Sequence, residues 1–154
     1  DIDHTDFMLI LGANPLASNG SIMTVPDVEK RLKAIQARGG KVVVVDPRRS
    51  ETAAMADQHL FVRPGGDAAL LFGVLNTLFE EGLTRDSHLP VDGLPEVRAA
   101  ISRFGPEAMS PLCAVPAAQI RQLARDFAAA PSAVCYGRMG VSTQAFGTLC
   151  HWLV

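Results

Sequence analysis

The sequence predicts an α/β fold built on a mainly parallel sheet of about four strands. Three observations carry that prediction. Residues 7–11 (FMLIL) and the four valines of KVVVVD at 41–46 are continuous apolar runs, not alternating ones, which suits strands buried on both faces. Between them lies a segment of helical periodicity, so strand and helix alternate as in a crossover unit. Each strand also runs into a turn rich in Gly, Pro, Asp or Arg: GANP at 12–15, DPRR at 46–49, RPGGD at 63–67 and GRMG at 137–140. Helices on both faces of such a sheet make a Rossmann-like three-layer sandwich, in which ligands bind outside the carboxyl ends of the strands.

In order along the chain, the first strand, 7–11, leads into a loop at 16–24 rich in Ser, Asn and Gly. A helix is predicted over 26–38, with Pro26 near its first position and Asp27 and Glu29 in the first turn. Val28, Leu32 and Ile35 form its buried stripe, and Gly39-Gly40 stops it. The valine strand follows, and Pro47 ends its pairing. Ser50 opens a short helix over 50–56, and 60–62 reads as a third strand. Asp67 is a good N-cap for a strong helix over 68–81, stopped by Gly82. Residues 84–95 are polar and loop-like; helices are predicted over 96–104 and 117–129. Pro131 resets the chain for a fourth strand at 133–136, and a last helix begins near Thr143. The expected strand order is 3-2-1-4.

The 154 residues are read as one α/β domain over 1–154. With 48% apolar and 19% charged residues the chain can build an ordinary core. A net charge of −2 leaves no electrostatic footprint for nucleic acid. No apolar run reaches the length of a membrane span, so no direct membrane insertion is expected. Cys113, Cys135 and Cys150 make no C-x-x-C pair, and His4, His59, His88 and His151 have no ligand spacing, so no metal site is expected. No Ser/His/Asp elbow, H-E-x-x-H or P-loop is present, and no catalytic residue is assigned. The chain lacks an initiator Met and ends in LCHWLV, which reads as an internal piece of a longer polypeptide. No secretory signal is visible, so a cytoplasmic setting is favoured over a periplasmic one.

The turns hold the candidate site residues. Glycine permits positive φ and close backbone approach. An acidic residue after a second strand can hold ribose hydroxyls, which suits Asp46, and Arg48 and Arg49 could hold phosphate. Plainer roles stand beside these: Gly12 as a turn glycine, Asp67 as an N-cap, Met139 as filler. GANPLASNG does not match G-x-G-x-x-G.

In this order, DFMLILGANP (6–15), GGKVVVVDPRRSETAAMAD (39–57), RPGGDAALLFGVLN (63–76) and GRMGVSTQAFG (137–147) resemble the molybdopterin oxidoreductases of the dimethyl sulfoxide reductase superfamily, formate dehydrogenases and nitrate reductases among them. The resemblance covers nearly the whole chain. It implies a domain that holds the guanosine and diphosphate arm of a molybdopterin guanine dinucleotide. Two such cofactors would bind one Mo or W, in an enzyme carrying out two-electron redox on formate or an oxyanion. Gly12, Ala13 and Asn14 would approach the diphosphate and ribose. Asp46, with Pro47 and Arg48 shaping its turn, would serve the ribose end. Pro64, Gly65 and Asp67 would cradle guanine, the carboxylate accepting from N1–H and the exocyclic amine. Gly137, Met139 and Gly140 would lie on the pterin side. Gln144 stands one residue farther on than the family's Gln.

The resemblance further implies a metal ligand and a 4Fe-4S cluster upstream of this chain, and a bacterial or archaeal source. The implied partners are other domains of the same polypeptide and an electron-transfer subunit. Two alternatives remain open here: an NAD- or FAD-binding Rossmann domain of a dehydrogenase, and a metal-free structural relative in a respiratory complex.

Overall fold

Val42 to Val45 have no solvent exposure in the computed structural model, which describes residues 2–20, 22–85 and 90–154. They form the body of β2 (Lys41–Val45), beside β1 (Phe7–Leu11), β3 (Gln58–Leu60) and β4 (Ala133–Gly137). The sheet has four strands in the order β3-β2-β1-β4, as the sequence predicts, and every pair is parallel. Leu60 pairs with Val45, Val45 with Leu11, and Leu11 with Gly137. Four strand ends therefore lie in one row, and four loops leave the same edge.

The strands divide their side chains between two layers, as the period of two requires. Phe7, Leu9, Leu11, Val43, Val45 and Leu60 pack with α4 (Asp67–Glu80), α7 (Ala117–Ala129) and α9 (Gly147–Leu153). Met8, Ile10, Val42 and Val44 pack on the other face with Val28, Leu32 and Ile35 of α2 (Val28–Ala37) and Ala53 of α3 (Glu51–Met55). Each such side chain, fully buried, contributes about 1.5–3 kcal/mol. The result is the three-layer sandwich expected.

Several elements differ from the sequence prediction. The third strand begins earlier, at Gln58, because Asp57 ties its start to β2: its carboxylate accepts from Val42 N at 2.7 Å, and its own N–H donates to Val42 O at 3.0 Å. Asp67 is the first residue of α4, not its cap; Gly66 takes the cap position and accepts from Leu70 N. A Cβ at Gly66 would lie 2.8 Å from Cys113 Cα, so nothing larger fits there.

Pro15–Ser18 forms a one-turn helix, α1, inside the segment read as loop. The helix expected over 96–104 is α5 (Leu94–Ile101), and α6 (Pro106–Cys113), with Pro111 inside it, was not expected at all. In place of one last helix there are two, α8 (Met139–Ser142) and α9. The chain doubles back between them so tightly that a Cβ at Gly147 would meet Ser142 O at 2.2 Å. Part of the loop expected over 84–95, with His88, lies outside the described residues. Among the described residues, no helix is long and apolar enough to cross a membrane.

Candidate functional site

The turn after β1 is joined to the turn after β4 through backbone. Gly140 N donates to Gly12 O at 2.9 Å, and Arg138 N to Leu11 O at 3.1 Å. Gly12 has φ +56°, and a Cβ on it would lie 2.7 Å from Gly140 Cα. The absence of a side chain at Gly12 is thus required by Gly140, whatever else approaches the loop. Ala13 is buried in the α2–α3 layer.

Asn14 is turned toward α3. Its Nδ2 donates to Glu51 Oε2 at 2.6 Å, and its Oδ1 accepts from Thr52 Oγ1 at 2.7 Å. Thr52 Oγ1 in turn accepts from Leu16 N at 3.1 Å. Hydrogen bonds from its own backbone N–H and from Asn14, with the Arg48 charge adding to them, hold the Glu51 carboxyl below the usual carboxylate range. Thr52 has no solvent exposure. Its only sequence signal is a hydroxyl in the first turn of an otherwise alanine-rich helix, and the sequence reading passed it over.

At the end of β2, Asp46 folds back on its own turn, its Oδ1 accepting from Arg48 N at 2.7 Å in an Asx-turn. Its carbonyl accepts from His59 at 2.9 Å when that ring carries its proton on Nε2. Pro47 and Arg48 are exposed. Arg48 lies 3.7 Å from Glu51, an exposed pair worth little by itself.

Pro64 and Gly65 form an exposed lip. Gly65, at φ +79°, has nothing within 4 Å of where a Cβ would stand. Asp67, behind it, is only 5% exposed. Burial pushes its pKa up, and the nearby Asp46 charge acts in the same direction; hydrogen bonds from Gln144 and from its own N–H oppose the shift. Gln144 Nε2 donates to Asp67 Oδ2 at 2.9 Å and to Gly140 O at 3.1 Å. Its Oε1 is buried without a partner. Cys150 lies close enough to feel the carboxylate: burial first, then Asp67, pushes its thiol up to about 11.

Gly137 ends β4 in line with the other strand ends, and Met139 beside it is 59% exposed. The expected site residues are thus gathered at one edge. Gly12 meets Gly140, Asp46 is within electrostatic reach of Asp67, and Gln144 bridges Asp67 to Gly140. The side chain of Asn14 is engaged instead by Glu51 and Thr52. An apolar cleft of about 390 Å³ opens beside this edge, lined by Gly65, Gly66, Phe72, Phe104, Leu112 and Phe146 among others.

Ser142 Oγ and His151 Nε2 lie 2.7 Å apart, and Ser142 Oγ also reaches Arg138 O at 3.2 Å. One proton on each group satisfies the set, which ties α8 to α9. Among the described residues, no group of three or more His, Cys, Asp or Glu could hold a metal ion.

A parallel sheet whose sequential order reverses between β1 and β4, with conjoined glycine turns at the reversal, defines the doubly wound α/β class, whose ligand crevice lies at that switch point. The family model for molybdopterin oxidoreductases matches residues 1–154, and the chain belongs to that family. It is 33% identical over 144 residues to formate dehydrogenase H of Escherichia coli (strain K12), covering 92% of this chain and 19% of that protein. It is 28% identical over 150 residues to a nitrate reductase of Klebsiella oxytoca, covering 96% of this chain and 16% of that protein. Acetylene hydratase from Pelobacter acetylenicus superposes with a TM-score of 0.83 at 26% identity, over 99% of this chain and 20% of that one. The chain thus spans about a fifth of the length of these relatives.

Proposed function

We propose that this chain holds the guanosine and diphosphate arm of a molybdopterin guanine dinucleotide. The observation that carries this reading is Asp67, a buried carboxylate among the strand-end loops, behind an open glycine lip. An ionised carboxylate is acceptor-only and matches the two adjacent donors on the guanine edge, N1–H and the exocyclic amine. Asp46 would accept from a ribose hydroxyl. Arg48 and Arg49, both exposed beside it, would face phosphate. The amides of Ala13 and Asn14 have no backbone acceptor among the described residues and would donate to the diphosphate, while the Asn14 side chain holds the loop's shape. Gly137, Met139 and Gly140 would border the pterin side.

The bound metal and pterin supply two-electron redox chemistry; this chain's residues position the nucleotide end. On this reading the whole protein is a Mo or W enzyme acting on a small substrate such as formate or an oxyanion, with a 4Fe-4S cluster held elsewhere. Its partners would be further domains of the same polypeptide and an electron-transfer protein. One relative is named a hydratase, so the reading is anchored on the cofactor, not on a substrate. A dehydrogenase-type NAD or FAD domain is disfavoured by the missing G-x-G-x-x-G and by the family to which the chain belongs.

The test is a titration of the full chain with GMP and GDP, and with NAD in parallel, by calorimetry and amide NMR. Guanine-selective binding with shifts at Gly12, Asn14, Asp46 and Asp67, lost in Asp67→Ala, supports the reading. NAD binding without preference for guanine overturns it.

A further inference from the structure

We infer that Gln144 is an internal competitor for the Asp67 carboxylate, sealing the site without ligand and swinging away when a ligand with paired N–H donors enters. This rests on the reading of Asp67 as a ligand-binding carboxylate. Both N–H bonds of the Gln144 amide are committed, one to Asp67 Oδ2 at 2.9 Å and one to Gly140 O at 3.1 Å. The amide thus holds an acceptor that a guanine edge would claim with its own N–H donors. Asp67 is 5% exposed with Gln144 in this position, and the Oδ2 lone pair that faces the amide is not open to a ligand's donor while the amide stays.

The sealed arrangement also has a built-in weakness. Gln144 Oε1 is buried and unpartnered. Exchanging the amide's O and N would not relieve it, because Oε1 would then face two acceptors, the Asp67 carboxylate and the Gly140 carbonyl. Rotation toward solvent does relieve it, since water then meets the carbonyl oxygen. The route is short. Gln144 lies in the bend between α8 and α9, next to exposed Thr143, Ala145 and Phe146. Gly147 is packed hard against Ser142, so the backbone of the bend is braced and the side chain can turn alone. A ligand binding only the open arrangement loses apparent affinity in proportion to the fraction of molecules that are open.

The experiment compares GMP affinity by calorimetry for the full chain and for Gln144→Ala, Gln144→Met and Asp67→Asn. Met fills similar volume and carries no N–H, so it controls for loss of packing. Both Gln144 variants should bind GMP about tenfold more tightly than the unaltered chain, as removal of a closed state predicts. Stopped-flow binding should also lose the concentration-independent opening step of the unaltered chain. Unchanged or weaker binding by both variants, with binding abolished in Asp67→Asn, overturns the competitor role and leaves Asp67 as the ligand group. GMP binding that survives in Asp67→Asn, or that is absent from every protein tested, overturns the reading of Asp67 and the competitor role with it.

Discussion

Gly12 and Gly140 each stand where the other's side chain would begin: a Cβ built on either one lies 2.7 Å from the Cα of its partner. The carboxyl ends of β1 and β4, distant in sequence, meet at this point through main chain alone, and a 2.9 Å hydrogen bond from Gly140 N to Gly12 O closes the contact. The switch point of the sheet is therefore a close-packed main-chain junction.

Gly12→Ala should destabilise the chain by about 2–4 kcal/mol, since φ +56° and a backbone neighbour oppose it together. Gly65→Ala, at φ +79° but facing open space, should lose only about 1–2 kcal/mol. Urea unfolding midpoints of the two variants separate steric collision from backbone strain. Equal losses would mean that the junction yields.

Asp67 should link stability to pH with an unusual sign for a carboxylate. Burial raises its folded-state pKa above the ordinary 3.8. The folded state then holds the proton more tightly than the unfolded one, so this contribution is fully present below pH 3.8 and is lost as pH rises through the folded pKa. Asp67→Asn should therefore be about 1 kcal/mol more stable than the unaltered chain at pH 7, with the gap closing toward pH 3. Thermal melts across that range measure it. A variant less stable at pH 7 would show that the favourable position of a charge at the start of α4 outweighs its burial.

Thr52→Val keeps shape and removes a hydroxyl that both donates to Asn14 Oδ1 and accepts from Leu16 N. Leaving those partners unpaired should cost about 1–3 kcal/mol. It should also broaden the amide signals of Ala13, Asn14 and Leu16, and sharp, unshifted signals would show that water replaces the hydroxyl.

The three thiols should resist alkylation in the folded chain. Burial pushes Cys135 up to about 12 and Cys150 up to about 11, and raises Cys113 as well. At pH 8 Cys135 would then be almost wholly thiol, which slows its alkylation although the side chain is only half-buried. Iodoacetamide labelling should track global unfolding in denaturant. Labelling of Cys135 well before that transition would show that its half-buried sulfur reacts without unfolding.

The two central strands were legible to the residue because Phe7–Leu11 and Val42–Val45 are buried on both faces, so hydrophobicity alone marks their bounds. The strand order followed from the same runs and the helices between them. Edge strand β3 was misplaced by two residues because polar Gln58 and His59 can pair at an edge without an apolar signature. The helix α6 stayed hidden behind Pro106 and Pro111, which read locally as breakers while Met109 and Cys113 bury into the core. The gap between α8 and α9 is a tight local bend in which Gly147 backs onto Ser142 O with no room for a Cβ, and a lone glycine does not announce it. Within the candidate site the strand-end loops could be read from Gly, Pro and Asp. The bonds that complete it, Gln144 to Asp67 and Thr52 to Asn14, join segments far apart and arise only when the sheet assembles.

The position of β1 has a consequence for how the chain acquires its structure. Its residue Phe7 pairs with Lys41 on one side and with Ala133 on the other. The first partner is close in sequence; the second follows seven helices of the described residues, α1 to α7, and most of the chain. During synthesis the central strand can therefore zip to β2 early but must wait with its other edge bare until β4 emerges. Such non-local pairing slows folding, and unpaired apolar edges invite association meanwhile. The junction of Gly12 with Gly140 is then among the last contacts to form, so the crevice at the switch point matures only when folding is nearly complete.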